Sequence, residues 1–353
     1  MAKKLIFILF VLIIPVALCA GERYNKSLLF FNYTTNELCL LNIDTGIITK
    51  RLKMDLNITQ LYISDEGFSF RWFFDNIGNN LFLRKIDRRR NTKVYKIDIE
   101  TFKLTEVFNS ETFFSNIFAR DNNLYLMNYI SSFQRAGNKE DIFILKHDLS
   151  NQNETIINFN KTLPKDKQLY VRNFFVKDNK ILMFGFIDNS ALSKLYLYDM
   201  VLGTIDVLDY YVSFGIRYSN GLVLYMRRIT SEIFEENILV GLMVYGHELV
   251  FYNFGTNKKT VLPYEISPLQ DFIILDQNTI IFSKEDESTK PYFDPTRDIY
   301  TWVSWRDRKR LMNFYIANVN QNNKKRLFSS YDRLEMIGIV NEIQGANTAH
   351  NKR

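Results

Sequence analysis

Strand patterns that end in Asp or Asn return along this chain at a near-constant interval, and that return limits the fold more than any other feature. The segments are ELCLLNIDTGIITKRL, KVYKIDIETFKLTEVF, DIFILKHDLSNQNETIINF, KLYLYDMVLGTIDVLDY, ELVFYNFGTNKKTVLPY and MNFYIANVNQNNKKRLF. Each alternates apolar and polar residues on both sides of a turn, which is the signature of a β-hairpin. Their pivots are Asp44, Asp98, Asp148, Asp199, Asn253 and Asn318, spaced 54, 50, 51, 54 and 65 residues apart. A second series lies between them: YISDEGFSF, IFARDNNLYL, FFVKDNKILM, IRYSNGLVLY and FIILDQNTII, with pivots Asp65, Asp121, Asp178, Asn220 and Asp276. Each unit therefore holds two hairpins. Four short strands in a repeat of about 50 residues predict a β-propeller blade.

With the strands called A to D from the axis outward, the second series gives the A–B turns and the first the C–D turns. The C–D hairpin occurs six times and the A–B hairpin five times. The first unit opens with strands B and C in KSLLFFNYTTNELCLLNID, so its strand A must come from elsewhere. RLEMIGIVNE, at 333–342, is an apolar run with no outer strands of its own. The predicted fold is all-β: a six-bladed propeller whose first blade joins N-terminal strands B–D to a C-terminal strand A. Such closure pins the ring and hides two open sheet edges. The expected domain is 21–342. Its blades are 27–53 plus 333–342, 58–108, 113–160, 168–210, 212–264 and 269–330, with a polar tail at 343–353. Asp and Asn suit the pivots because their side chains hydrogen-bond the backbone two residues on and tolerate unusual φ. The other reading, a ring of carboxylates holding a metal, fits less well, since the residue changes to Asn in several units.

The patterns DNNLYL and DNKILM at the A–B turn, with LYLYDMVLG and LLNIDTG at the C–D turn, resemble six-bladed propellers of the TolB, YWTD and NHL-repeat kind. The resemblance covers residues 27–342 and is one of pattern; no YWTD string occurs. It implies the fold and assigns no residue a role, because propellers host many unrelated activities.

Composition supports a β protein. The chain has 30 Phe and 20 Tyr, residues that suit half-buried strands. MAKKLIFILFVLIIPVALCAGE reads as a secretory signal over residues 1–20: Lys3 and Lys4, an apolar run from Leu5 to Leu18 loosened by Pro15, and cleavage after Ala20. That run falls short of the roughly 20 residues that span a bilayer, which argues against an uncleaved anchor. Acylation of Cys19 is disfavoured by the bulky Leu18 before it. The expected location is extracellular or periplasmic. Losing Lys3 and Lys4 lowers the formal charge from +6 to +4, which excludes a dedicated nucleic-acid binder. Cys39, the one cysteine left, sits in a strand pattern and is expected to be a buried free thiol, so the core alone must hold the fold. A monomer is expected. Sequons at Asn25, Asn32, Asn57, Asn153 and Asn160 decide nothing in so Asn-rich a chain.

Antiparallel strands put the A–B and C–D turns on one face and the B–C and D–A connections on the other. The second face carries the variable material, and variable loops on a fixed scaffold are where binding residues concentrate. Blade 2 has RKIDRRRNTK, with Arg88, Arg89 and Arg90. Blade 3 has SSFQRAGNKED. Blade 5 has MRRITSEIFEENILVGLMVYGHE, long enough for an extra hairpin or a short helix. Blade 6 has the longest insert, from Lys284 to Met312, with Tyr300, Trp302, Trp305, Arg306 and Arg308 near its end. Aromatic planes beside guanidinium groups suit a sugar, an anionic polymer or a protein hot spot. The competing reading is a long hairpin whose Trp side chains pack on a neighbouring strand.

The sequence contains no G-x-S-x-G elbow, P-loop or clustered Cys, and His147, His247 and His350 show no metal-ligand spacing. No cofactor or metal site is assigned. Six-bladed lactonases and esterases resemble this architecture and carry acidic and Asn residues around a channel metal. Asp65, Glu66, Asp121, Asp178, Asp276 and Glu335 lie near the inner strands here, but the Asp residues fall at A–B turns, away from the loop-rich mouth. The expected function is therefore non-catalytic binding of a protein or glycan partner, anionic chemistry included. A metal-dependent hydrolase at the channel mouth is the alternative.

Overall fold

The segments KSLLFFN, NLFLRKI and KILMFGFI are apolar at consecutive positions, so they bury both faces when extended. A strand of that kind needs a packed sheet on each side, and a ring of radially arranged sheets supplies one. The computed structural model describes residues 26–54, 69–75, 80–87, 91–99, 101, 103–128, 142–164, 167–187, 193–212, 217–219, 221–235, 238–265, 271–286, 311–318 and 324–341; for 69–75, 231–245 and 263–265 only the backbone is considered.

The strands form six four-stranded antiparallel sheets. Blade 1 contains β1 (Lys26–Asn32), β2 (Glu37–Asn42) and β3 (Ile48–Lys53). Blade 2 contains β4 (Ser69–Asp75), β5 (Asn80–Ile86), β6 (Thr92–Ile97) and β7 (Leu104–Ser110). Blade 3 contains β8 (Asn116–Arg120), β9 (Asn123–Met127), β10 (Ile144–Asp148) and β11 (Glu154–Ile157). Blade 4 contains β12 (Leu169–Lys177), β13 (Lys180–Ile187), β14 (Lys194–Asp199) and β15 (Thr204–Tyr210). Blade 5 contains β16 (Arg217–Ser219), β17 (Leu222–Glu235), β18 (Ile238–Asn253) and β19 (Lys258–Glu265). Blade 6 contains β20 (Phe272–Ile274), β21 (Thr279–Glu285), β22 (Met312–Asn318) and β23 (Lys324–Ser330). The last strand, β24 (Leu334–Asn341), returns to pair with β1 as strand A of blade 1. The six-bladed fold and its closure by both ends of the chain are as the repeat predicts.

Six apolar clusters fill the spaces between successive blades. Alternation divides each inner strand between two of them. Leu29 and Phe31 face blade 2, with Leu81, Leu83 and Ile97. Leu28 and Phe30 face blade 6, with Ile281, Phe314 and Ile316. The remaining clusters lie at the 2/3, 3/4, 4/5 and 5/6 junctions. The ring thus closes through packing as well as through pairing. Cys39 sits in the 6/1 junction as a free thiol, 1% exposed, and burial pushes its pKa up to about 11. It is therefore protonated and unreactive at neutral pH.

Most pivots act as the sequence suggests. The Oδ1 atoms of Asp98, Asp148, Asp199 and Asn253 accept backbone N–H groups two or three residues on, at 2.7–2.9 Å for the shortest bond of each. Asp121 and Asp178 have φ of 49° and 53°. Two expectations are corrected. In blade 1 the capping side chain is Asn42, whose Oδ1 accepts from Thr45 N at 2.9 Å, rather than Asp44. In blade 2 the hairpin of strands A and B turns between Asp75 and Asn80; Asp65 precedes strand A and lies outside the described residues.

The outer strand is bulged against strand C in five blades, the third being the exception. In blades 2 and 6 the extra residue lets two consecutive side chains, Val107 and Phe108 or Leu327 and Phe328, pack into one junction where strict alternation would separate them. Another bulge, in β12 at Val171/Asn173, brings the Tyr170 carbonyl against Gly185, where a Cβ would overlap it. Gly185→Ala is expected to destabilise the fold by about 1–3 kcal/mol, since the obstructing atom is backbone. A urea titration checks this, and an unchanged midpoint would show that β12 yields freely.

Candidate functional site on the loop-rich face

The two ends of the channel differ. On the turn face, Arg120 at the end of β8 reaches from blade 3 to blade 5. Its Nη1 donates to Tyr218 Oη at 3.0 Å and to the Val176 carbonyl at 3.2 Å. Phe118, Phe175 and Tyr218, from blades 3, 4 and 5, pack around this contact with ring centroids 5.3–5.8 Å apart. Asp121 and Asp178 hold the same guanidinium, at 3.0 and 3.7 Å. These two carboxylates, candidates for a metal ring, therefore serve a cation of the chain itself, and the contact ties blades 3, 4 and 5 together at this level.

At the opposite mouth, Arg217 at the start of β16 binds Asp271 Oδ1 at 2.6 Å, and Asp271 Oδ2 accepts the Met336 N–H of β24 at 2.9 Å. One carboxylate so joins blades 5, 6 and 1. Tyr33 Oη donates to Glu335, and Arg333 lies 5.0 Å over the Tyr33 ring. Burial alone would lower the Arg217 pKa, but Asp271 and Glu335 raise it, so the guanidinium stays charged. Glu335 was expected near the axis, and it stands at the mouth. Asp271 and Arg217 were not anticipated. The visible hint was an acid directly before the apolar FIIL of strand A in blade 6.

The B–C connection of blade 5, where an extra hairpin or a short helix was expected, is a hairpin. β17 and β18 have 14 and 16 residues, whereas the other B strands have five to eight. β16 pairs with β17 only at Leu222–Leu224, and β19 pairs with β18 only between Glu248 and Asn253. β17 and β18 continue together to Glu235↔Ile238, with bulges at Ile229/Thr230 and Ile233/Phe234. Seven residues beyond Arg228, at the usual rise, extend this ribbon about 20 Å past the blade. Among the described residues no third strand pairs with that extension.

A buried network fixes the ribbon at its base. Asp209, 5% exposed at the end of β15, accepts from Tyr225 Oη at 2.6 Å and from Arg227 Nη1 at 3.2 and 3.3 Å. Arg227 also pairs with Glu248 across the ribbon at 2.5 Å. Lys259 lies 3.6 Å from Asp209. Burial pushes the Asp209 carboxyl up, but Tyr225, the Tyr210 N–H, Arg227 and Lys259 together hold it below the usual carboxylate range.

The residues expected to bind, Tyr300, Trp302, Trp305, Arg306, Arg308, Arg88, Arg89 and Arg90, all lie outside the described residues. The strands flanking them show that both segments are B–C connections, of blades 6 and 2. The blade 2 connection is closed at its base by Asp87, which accepts from Asn91 N at 2.9 Å. The blade 6 connection is closed by Asp286 N donating to the Leu311 carbonyl at 2.8 Å and by Asn313 Nδ2 donating to Asp286 at 2.8 Å. Among the described residues, no three His, Cys, Asp or Glu side chains converge as a metal site would require, and no helix is long and apolar enough to cross a membrane.

No protein-family model and no curated protein sequence matches the chain. Solved structures do. A chain of a nidogen/laminin complex aligns over 89% of this chain and 97% of its own length, at 10% identity and a TM-score of 0.48. TolB from Acinetobacter baumannii aligns over 90% of this chain and 65% of its own length, at 11% identity and a TM-score of 0.48. An oligogalacturonate lyase from Vibrio parahaemolyticus aligns over 72% of both chains, at 12% identity and a TM-score of 0.39. The propeller assignment rests on the strand pairing and the six junctions.

Proposed function

We propose that this protein is a non-catalytic binding propeller that recognises a protein or glycan partner through the B–C connections of its loop-rich face. The observation that carries the reading is the β17–β18 ribbon, which projects beyond its blade on the face that also receives the long blade 6 insert. On the opposite face the connections are short turns and Asp121 and Asp178 are engaged by Arg120, which leaves the loop-rich face with the material for meeting a partner. Export to the periplasm or the extracellular space is part of the proposal. Its support is the basic start and apolar run of residues 3–18 with the small Ala20 after it.

The aromatic pair in blade 6 gives the test. Trp302→Ala and Trp305→Ala are each expected to weaken binding to an immobilised acidic protein ligand by about 2 kcal/mol, roughly thirtyfold, with an unchanged melting temperature. If both variants bind normally and melt earlier, the Trp side chains are packing residues and the proposal fails for this insert. A stoichiometric divalent ion in the purified protein, with a lower melting temperature after chelation, would instead favour a metal-dependent hydrolase at the channel mouth.

A further inference from the structure

The outer D strands of a propeller are sheet edges, and edge strands are commonly blunted by charge. Here the charge is unevenly distributed. β23 opens with Lys324, Lys325 and Arg326, all exposed, and has no acidic residue. β3, next to it on blade 1, carries Lys50, Arg51 and Lys53, also without an acid. β19, on the other side, begins with exposed Lys258 and Lys259. The far rim has the opposite sign: β15 carries exposed Asp206, β7 and β11 carry exposed Glu106 and Glu154, and none of the three has a base. Protection of edges alone would give every D strand similar treatment, so the segregation by sign needs another cause.

The three basic strands are neighbours in the ring. β3 and β23 share the 6/1 junction through Ile48, Leu327 and Phe328, and a Cβ on Gly46 of blade 1 would lie 3.2 Å from the Leu327 carbonyl oxygen. Lys325 pairs in register with Ile316, which faces blade 1, whereas Lys324 pairs with Ala317, which faces blade 5. The cations therefore flank the grooves on both sides of β23. Arg51 is paired with Glu37 and Lys259 with Asp209, but among the described residues Lys53, Lys258, Lys325 and Arg326 make no ion pair.

We propose that the rim of blades 5, 6 and 1 binds a linear anionic polysaccharide, at a surface separate from the loop-rich face. The curvature selects the class of partner. Three blades of six take up about half of the ring, and the centres of their outer strands span about 120° of a convex wall. A flat anionic membrane touches such a wall along one blade, whereas a flexible chain bearing carboxylate or sulfate groups follows all three. The grooves between outer strands supply the path, and the unpaired cations supply the complementary charge.

The test compares the full-length protein with two triple variants of equal net charge. K324E/K325E/R326E reverses the rim, and K103E/K161E/K167E reverses three exposed lysines, one in blade 2 and two in the connection between blades 3 and 4. The probe is heparin, titrated at low and physiological salt, with anionic phospholipid vesicles and single-stranded DNA as parallel arms. Rim reversal is expected to weaken heparin binding roughly tenfold or more, since several exposed charge pairs of modest worth are lost together, while the control stays within about twofold. Binding should also weaken as salt rises. Equal losses in the two variants would reduce the effect to net charge and overturn the proposal. So would absence of heparin binding, or tighter binding of vesicles or DNA. The Trp302 and Trp305 variants keep this question separate from the loop-face reading, because rim binding survives their failure.

Discussion

A chain ending at Asp332 is expected to unfold or aggregate, whereas one lacking only 344–353 should behave like the whole protein. The longer truncation removes β24, which pairs with β1 from Lys26↔Asn341 to Asn32↔Leu334. Met336 and Ile339 leave the 6/1 junction and Val340 leaves the 1/2 junction, all at most 8% exposed. Burial of three such side chains is worth about 5–9 kcal/mol. Typical net stability is only about 5–15 kcal/mol, so this loss alone consumes most of it. Asp271 also loses the Met336 N–H that its Oδ2 accepts. Size-exclusion chromatography and a melting curve of both truncations decide the matter. A monomeric product with the parent melting temperature would show that blade 1 stands without its inner strand.

Asp209→Ala should be the most damaging point substitution on the loop-rich side. It leaves Arg227 with only Glu248, and it strips the buried Tyr225 hydroxyl of its acceptor. Breaking a buried pair of this kind costs about 3–5 kcal/mol. Asp209→Asn keeps the shape and removes the charge, so it isolates the pH dependence. The folded carboxyl titrates below its ordinary value, so the unfolded chain takes up the proton first as pH falls. The stabilisation is fully present above the unfolded pKa of about 3.9 and is lost as pH drops through the lower folded value. The gap in melting temperature between parent and Asp209→Asn should accordingly be widest near neutrality and shrink below about pH 4. A gap that is constant across this range would place the stabilisation elsewhere.

The ring was legible because its cause is periodic. A hairpin pivot every 50 or so residues states the blade, and unequal counts of the two hairpins state the closure. Errors fell where local chemistry offers two answers. FSFRWFFD is apolar and aromatic almost throughout, so it suits a strand on either side of a turn, and DNIGNN after it holds the Asn and Gly that tight turns favour. Asn42 and Asp44 are two residues apart and both suit a cap; the side chain that reaches Thr45 N is that of Asn42. The mouth cluster could not be read from spacing. Arg217 and Asp271 are 54 residues apart and Asp271 and Met336 are 65 apart, and such pairs meet only once the ring has closed. The rim is a different case. TKRL, NKKTVL and NKKRLF stood in the aligned repeats, and their shared sign emerges once D strands are compared between neighbouring blades.

The pairing of β1 with β24 also sets a direction of display. β24 runs away from the loop-rich mouth, and β1 sets out beside its last residues, with Lys26 opposite Asn341. Lys26 Nζ donates to the carbonyl of Leu275 at the β20–β21 turn, and its own carbonyl accepts from Ile43 N after β2, both on the turn face. Any polypeptide attached before Lys26 or after Asn341 therefore departs from the turn face. A tether, tag or fused module at either end holds the propeller from behind, with the ribbon and the mouth pointing outward. Immobilising the protein through a terminus thus leaves its loop-rich face free, whereas coupling through the loops would mask it.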